Sequence, residues 1–215
     1  MTDSTHRQPH GQQPPKRERT RKRILDAAEE AIRENSNLHA LDMEEVAARA
    51  GIARSGLYRY FPTKEDMLKT LITQRSAELR FGAQPLADNE DLARYLQRSL
   101  SMLVQFWRDR RAIYLTGLDL SDIDRDFNRQ WNQELVDNWT SALVGVYERE
   151  VAAGRVTAPL ADPWSTAEFL TMAVVSRLQS LYRETDRPER EELVLQAMLE
   201  VVFRSFGLRP PVPAA

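Results

Sequence analysis

Apolar residues recur in this chain at three- and four-residue intervals, and no stretch alternates apolar with polar for long enough to make a strand, so the pattern predicts an all-α fold. The N-terminal third is written in short pieces. Ile24, Ala27, Ala28, Ala31 and Ile32 form one stripe, ended by Asn35, Ser36 and Asn37. "DMEEVAARAG" opens on Asp42, an N-cap residue with Glu45 three positions on, and stops at Gly51. A third piece is predicted over 54–61 and ends at Pro62, because a proline pushes its predecessor out of the helical region. The fourth starts at Thr63, with Asp66 at capping-box distance, and carries Met67, Leu68, Leu71 and Ile72. Longer helices are predicted at 88–109, 126–153, 163–184 and 188–206, with a short irregular helix at 111–118.

These pieces divide the chain into a disordered polar arm (1–15), an N-terminal three-helix helix-turn-helix domain (16–75), a larger helical ligand-binding and dimerisation domain (76–208) and a tail (209–215). Composition narrows the functions such a chain can serve. The absence of cysteine excludes disulfides, thiolate nucleophiles and cysteine-ligated metals. His6, His10 and His39 form no cluster with carboxylates suited to nucleophilic or metal chemistry, so neither an enzyme nor a cofactor is expected. No window reaches the roughly 20 apolar residues that cross a bilayer, which predicts a cytoplasmic protein with no membrane partner. "DLSDIDRD" offers Asp122, Asp124 and Asp126 at calcium-loop spacing, but Phe127 and Gln133 replace the glycine and glutamate such a loop needs. It reads as an acidic, solvated helix start.

The formal charge of −2 conceals an asymmetry: residues 1–80 hold 15 Lys+Arg against 12 Asp+Glu, and residues 81–215 hold 15 against 20. The N-terminal part is therefore expected to meet an anion. In "GIARSGLYRYFPTKE", residues 51–65, Gly51 suits the tight turn of a helix-turn-helix. Ala47 is small enough for the helix crossing, and Leu57 supplies the apolar lock. Arg54, Ser55, Gly56, Tyr58, Arg59 and Tyr60 are left to face outward or flank the core, on the surface that enters a major groove. Lys64 sits in the first turn of the next helix, where the macrodipole disfavours a cation by ~0.3–1 kcal/mol. A phosphate docked there reverses that sign.

"LDMEEVAARAGIARSGLYRYFPTKEDML", residues 41–68, resembles the DNA-binding domain of the TetR family of bacterial transcriptional regulators, with its Leu-Tyr-x-Tyr-Phe run, short turn and Lys-Glu. The likeness covers about residues 17–75. It implies that Arg54, Ser55 and Gly56 approach base edges and that Tyr58, Tyr60, Thr63 and Lys64 hold phosphates of a double-stranded DNA operator. Two positions depart from the family pattern. Asp42 stands where a phosphate-contacting threonine is common, and Ala53 leaves the recognition helix without a side-chain cap, a loss of roughly 0.5–2 kcal/mol. The run "KRERTRKR" reads either as a minor-groove or phosphate-tracking arm or as a basic helix start.

In the C-terminal part, "TAEFLTMAVVSRLQSLY" and "ELVLQAMLEVVFRSF" are apolar nearly all the way round. Such helices are buried on more than one side, which predicts a homodimer through the last two helices. Phe106, Trp107, Tyr114, Trp131, Leu135, Trp139 and Met172 are the candidates for contact with a partly apolar small-molecule inducer. The expected function is a sequence-specific repressor released from a palindromic operator by that molecule. The alternative is a dimeric DNA-binding regulator whose aromatic residues are solid core.

Overall fold

Helix starts in this chain coincide with side chains that can accept the first free N–H groups. Asp42 accepts from Glu44 N at 2.9 Å, Thr63 Oγ1 from Asp66 N at 3.0 Å, Asp91 from Arg94 N at 2.8 Å and Asp162 from Ser165 N at 3.0 Å. A computed structural model describes residues 15–35, 41–83, 90–184 and 188–211. Among them are α1 (Lys16–Asn35), α2 (Met43–Arg49), α3 (Arg54–Tyr58), α4 (Lys64–Ala83), α5 (Leu92–Asp109), α6 (Arg111–Ile123), α7 (Arg125–Ala152), α8 (Pro163–Glu184) and α9 (Pro188–Ser205). The all-α expectation holds, since no strand occurs among the described residues. The polar arm up to residue 14, His39 and the tail from 212 lie outside the description.

Three local expectations change and one open alternative is resolved. The recognition helix ends at Tyr58 rather than at 61, with Arg59 as its C-cap, and the turn through Pro62 is not helical. The segment expected as a short irregular helix at 111–118 is a regular helix running to Ile123. "KRERTRKR" forms the first two turns of α1. Asp124 is not a solvated helix start: it caps α7 through Asp126 N and Phe127 N, at 3.0 and 2.9 Å, and is ion-paired with Lys69 of α4. The Lys69 ammonium, then the Phe127 N–H, holds the Asp124 carboxyl below its usual range. The tie between α4 and α7 is therefore present at neutral pH and is lost as pH falls through that lowered value. The boundary placed at 75/76 lies inside α4, which is continuous from one domain into the other.

The small domain packs Ile24, Ala28 and Ile32 of α1 against Val46, Leu57, Phe61, Met67, Leu68 and Leu71, all at most 1% exposed. Behind it, α5, α7, α8 and α9 form the larger body, and α6 packs against α1 and α4 on one side and α7 on the other. Its centre is aromatic: Trp107 stacks on Tyr182 at 5.6 Å between centroids, and Tyr114 stacks on Trp131 at 5.9 Å. Gly117 makes room for this arrangement, because a Cβ there would lie 2.7 Å from the Trp131 ring. The Gly117→Ala variant is expected to lose about 1–3 kcal/mol from forced repacking, read by denaturant unfolding.

Candidate nucleic-acid interface

The α2–α3 corner is built tightly enough to present α3 as a rigid unit. Gly51 adopts φ 63°, a left-handed conformation that other residues rarely take. Ile52 N donates to Ala47 O at 3.0 Å across the turn. Ala47 and Leu57 are 2% and 0% exposed, at the crossing and lock positions expected for them. Arg23 of α1 donates to Ala50 O and reaches Gly51 O at 3.5 Å, pinning the turn from behind. Arg21 lies over the Phe61 ring at 4.9 Å. In the sequence both arginines belong only to the basic run, because neither contact partner is near along the chain. Their side chains brace the corner, while Lys16, Arg17, Arg19 and Lys22 remain on the exposed surface of α1.

The predicted DNA-facing residues are brought together on one surface. Arg54 and Ser55 are exposed at the N-terminal end of α3, and Gly56 is half-buried, with Ile52 Cβ 4.0 Å from where a Cβ would lie. Ala53 forms no side-chain cap, as expected from its identity. The Arg54 guanidinium lies 5.9 Å from the centre of the Tyr58 ring and 3.4 Å from Glu44 Oε2, an exposed pair worth little. It is thus held near the helix face and free to exchange Glu44 for a base edge. Tyr58 is 40% exposed, while Tyr60 packs its ring partly against the core. Thr63 spends its hydroxyl oxygen on capping α4 and keeps its proton for an acceptor. Lys64 Nζ lies 3.5 Å from Leu41 O, which places the ammonium between the starts of α2 and α4. Two helix N-termini and a cation converge there, and that combination suits a phosphate.

The residues proposed for a ligand chamber do not form a single group. Phe106, Trp107, Tyr114 and Trp131 belong to the packed aromatic stack, and Trp107, Tyr114 and Trp131 are 1%, 1% and 6% exposed. Leu135 is buried on the same stripe of α7. Met172 is 56% exposed on the outer side of α8 and lines no interior space, because the side of α8 that turns inward is the one carrying Leu170, Val174 and Leu178. Trp139 instead borders a cavity of about 30 Å³ with Tyr95, Leu100, Leu143, Thr171 and Val202. That volume admits about one water.

A small domain presenting an arginine- and tyrosine-bearing helix, carried on a continuous helix from a larger helical body, defines a DNA-binding transcriptional regulator. Residues 24–71, which hold the α2–α3 corner, match the model of the bacterial regulatory proteins, tetR family. The chain is 25% identical over 138 residues to the fatty acid metabolism regulator protein of Bacillus subtilis (strain 168), a match covering 62% of this chain and 69% of that protein. Among solved structures, Salmonella enterica GusR superposes with a TM-score of 0.70 at 16% identity, over 91% of this chain and 100% of that one. RolR in complex with resorcinol superposes with a TM-score of 0.60 at 19% identity, over 93% and 97%.

Proposed function

We propose that this regulator is a homodimeric repressor that reads an inverted-repeat operator with two copies of α3 and leaves it when a small, partly apolar molecule enters the larger domain. The observation that carries the reading is the face on which Arg54, Ser55 and Tyr58 are exposed beside the half-buried Gly56, fixed by the corner at Gly51 and flanked by Lys64. In the proposed complex the first three approach base edges, and Tyr58, Tyr60, Thr63 and Lys64 hold phosphates. The second copy docks on a groove between α8 and α9 lined by Leu170, Ala173, Leu193, Ala197 and Val201. Phe169, Leu193 and Val201 are 70%, 67% and 58% exposed beside it, an apolar surface that a lone chain rarely leaves in water.

Two ties join α4 to the body, a third contact sets the place of the indole that makes one of them, and together they provide a route from an inducer to the DNA-reading domain. Trp131 Nε1 donates to Ser76 Oγ at 2.8 Å, Lys69 pairs with Asp124, and Gly117 sets how closely α6 approaches the Trp131 ring. An inducer that expands the space at Trp139 acts on the same helix, α7, that carries Trp131 two turns away. The Trp139 indole N–H is buried without an acceptor, a donor that a ligand oxygen would satisfy. The narrow cavity favours a second reading, a regulator with no small-molecule pocket, unless the ligand itself opens the space.

Selection of bound sequences from a random duplex pool tests the DNA reading, with the wild type beside a Tyr58→Ala, Lys64→Ala variant. An inverted repeat is expected from the wild type alone; no enriched motif from folded wild-type protein rejects the repressor. On the selected site, losing the Lys64 ammonium from both copies should shallow the log K against log salt slope by about 1.8, the neutral Tyr58 adding nothing to it. Trp131→Phe, which keeps an aromatic side chain but removes the bond to Ser76 and the indole edge that meets Gly117, is expected to weaken inducer-driven release while leaving operator affinity in the absence of inducer within about threefold. Unchanged release removes Trp131 from the route.

A further inference from the structure

A polar cavity of about 410 Å³ opens where the small domain meets the turn between α5 and α6. Four of its lining side chains are arginines: Arg33 from α1, and Arg108, Arg110 and Arg111 from the α5–α6 turn. Only Glu29 and Asp109 oppose them on its wall. Glu29 is 8% exposed and already engaged, receiving Arg75 at 2.6 Å, Arg110 at 3.4 Å and Arg33 at 3.5 Å. Arg111 is oriented by donating Nε to Tyr182 O at 3.1 Å, and Arg108 by its pairing with Glu191. The turn thus holds three guanidinium groups at one opening, each positioned by its neighbours: Arg108 by Glu191 and by Gln105 Oε1 at 3.1 Å, Arg110 by Glu29 and the Phe106 ring at 5.2 Å, and Arg111 by Tyr182 O. α6 adds to the same field, since it starts at this cavity with Arg110 in the N-cap position, no side-chain cap and no acidic residue in its first turn.

We infer that this arginine-lined cavity binds the phosphate group of a small phosphorylated molecule, which competes with Glu29 for Arg33 and Arg110. A phosphate dianion suits the site better than a carboxylate, because it offers three acceptor oxygens to several planar donors at once. The volume exceeds that of a phosphate alone, leaving room for an organic remainder. The site differs from the α8–α9 groove and from the Trp139 cavity in both place and chemistry. Because Glu29 and Arg33 belong to the DNA-reading domain and Arg110 to the body, occupancy bears on the contact between them.

The probe is inorganic pyrophosphate, titrated calorimetrically into the whole chain at low ionic strength in a phosphate-free buffer. Saturable binding is expected, at least tenfold weaker in Arg33→Glu, an exposed position whose change should leave the fold intact, and unchanged in Lys64→Ala. The competition with Glu29 adds a second readout: Glu29→Gln, with folding verified by circular dichroism, is expected to bind pyrophosphate several-fold more tightly. No saturable binding overturns the inference. So does binding that survives Arg33→Glu and disappears in Lys64→Ala, which would assign the anion to the DNA-reading face. Equal or weaker affinity in folded Glu29→Gln overturns the competition.

Discussion

Replacing Glu29 with alanine is expected to lower the unfolding free energy by about 3 kcal/mol, because it takes from Arg75 one of its two carboxylates, leaving Asp26 at 3.0 Å, and removes the carboxylate that faces Arg110. For a chain of this size that corresponds to a fall in Tm of about 10 °C. The magnitude follows from burial. The Glu29 side chain is 11% exposed and that of Arg75 is 17% exposed, so water cannot take over the lost bonds. Arg33 meets the same carboxylate from a side chain 67% exposed, and Arg33→Ala is expected to cost about 0.5 kcal/mol or less. Equal losses in the two variants, measured by denaturant unfolding, would show that the cluster is solvated and does not fasten α1 to α4 and the α5–α6 turn.

The double variant Phe169→Asp, Val201→Asp is expected to be a folded monomer with operator affinity reduced by at least about 10³-fold. Both side chains lie more than half exposed in one chain, at 70% and 58%, so aspartate there costs the isolated fold little. In a dimer built on this face, the same carboxylates become buried without partners, which drives the copies apart. A single helix-turn-helix unit then meets one half-site and falls toward the affinity of non-specific binding. Sedimentation and gel-shift assays on one preparation separate the two effects. A variant that remains dimeric places the second copy on another surface.

Features governed by neighbours in sequence were legible beforehand. Gly51, Ala47 and Leu57 set the corner through backbone freedom and spacing, and the Asp42 and Thr63 caps act within three residues of themselves. The outward faces of α8 and α9 were readable too, because an excess of apolar residues around a helix needs no knowledge of its neighbours. What escaped depended on distant partners. An indole that packs into a stack and one that borders a cavity look alike at i, i+4 spacing, so Trp131 and Trp139 could not be told apart. Met172 shares the apolar character of its neighbours, yet helix rotation carries it outward. The arginines at 21, 23, 33 and 110 read only as charge until the fold set them against Phe61, the turn at Gly51 and Glu29.

The placement of the tryptophans has an optical consequence. Trp107, Trp131 and Trp139 are shielded from water, and only Trp164 is substantially wet, at 46% exposure. Indole emission shifts with the polarity around the ring, and the Trp131 ring is anchored through its N–H to the helix that carries the DNA-reading domain. With Trp164 replaced by phenylalanine, the remaining light would come from the interior alone. Any rearrangement that parts Trp131 from Ser76 would then register as a change in colour or yield, giving the protein a label-free indicator of its own conformational state.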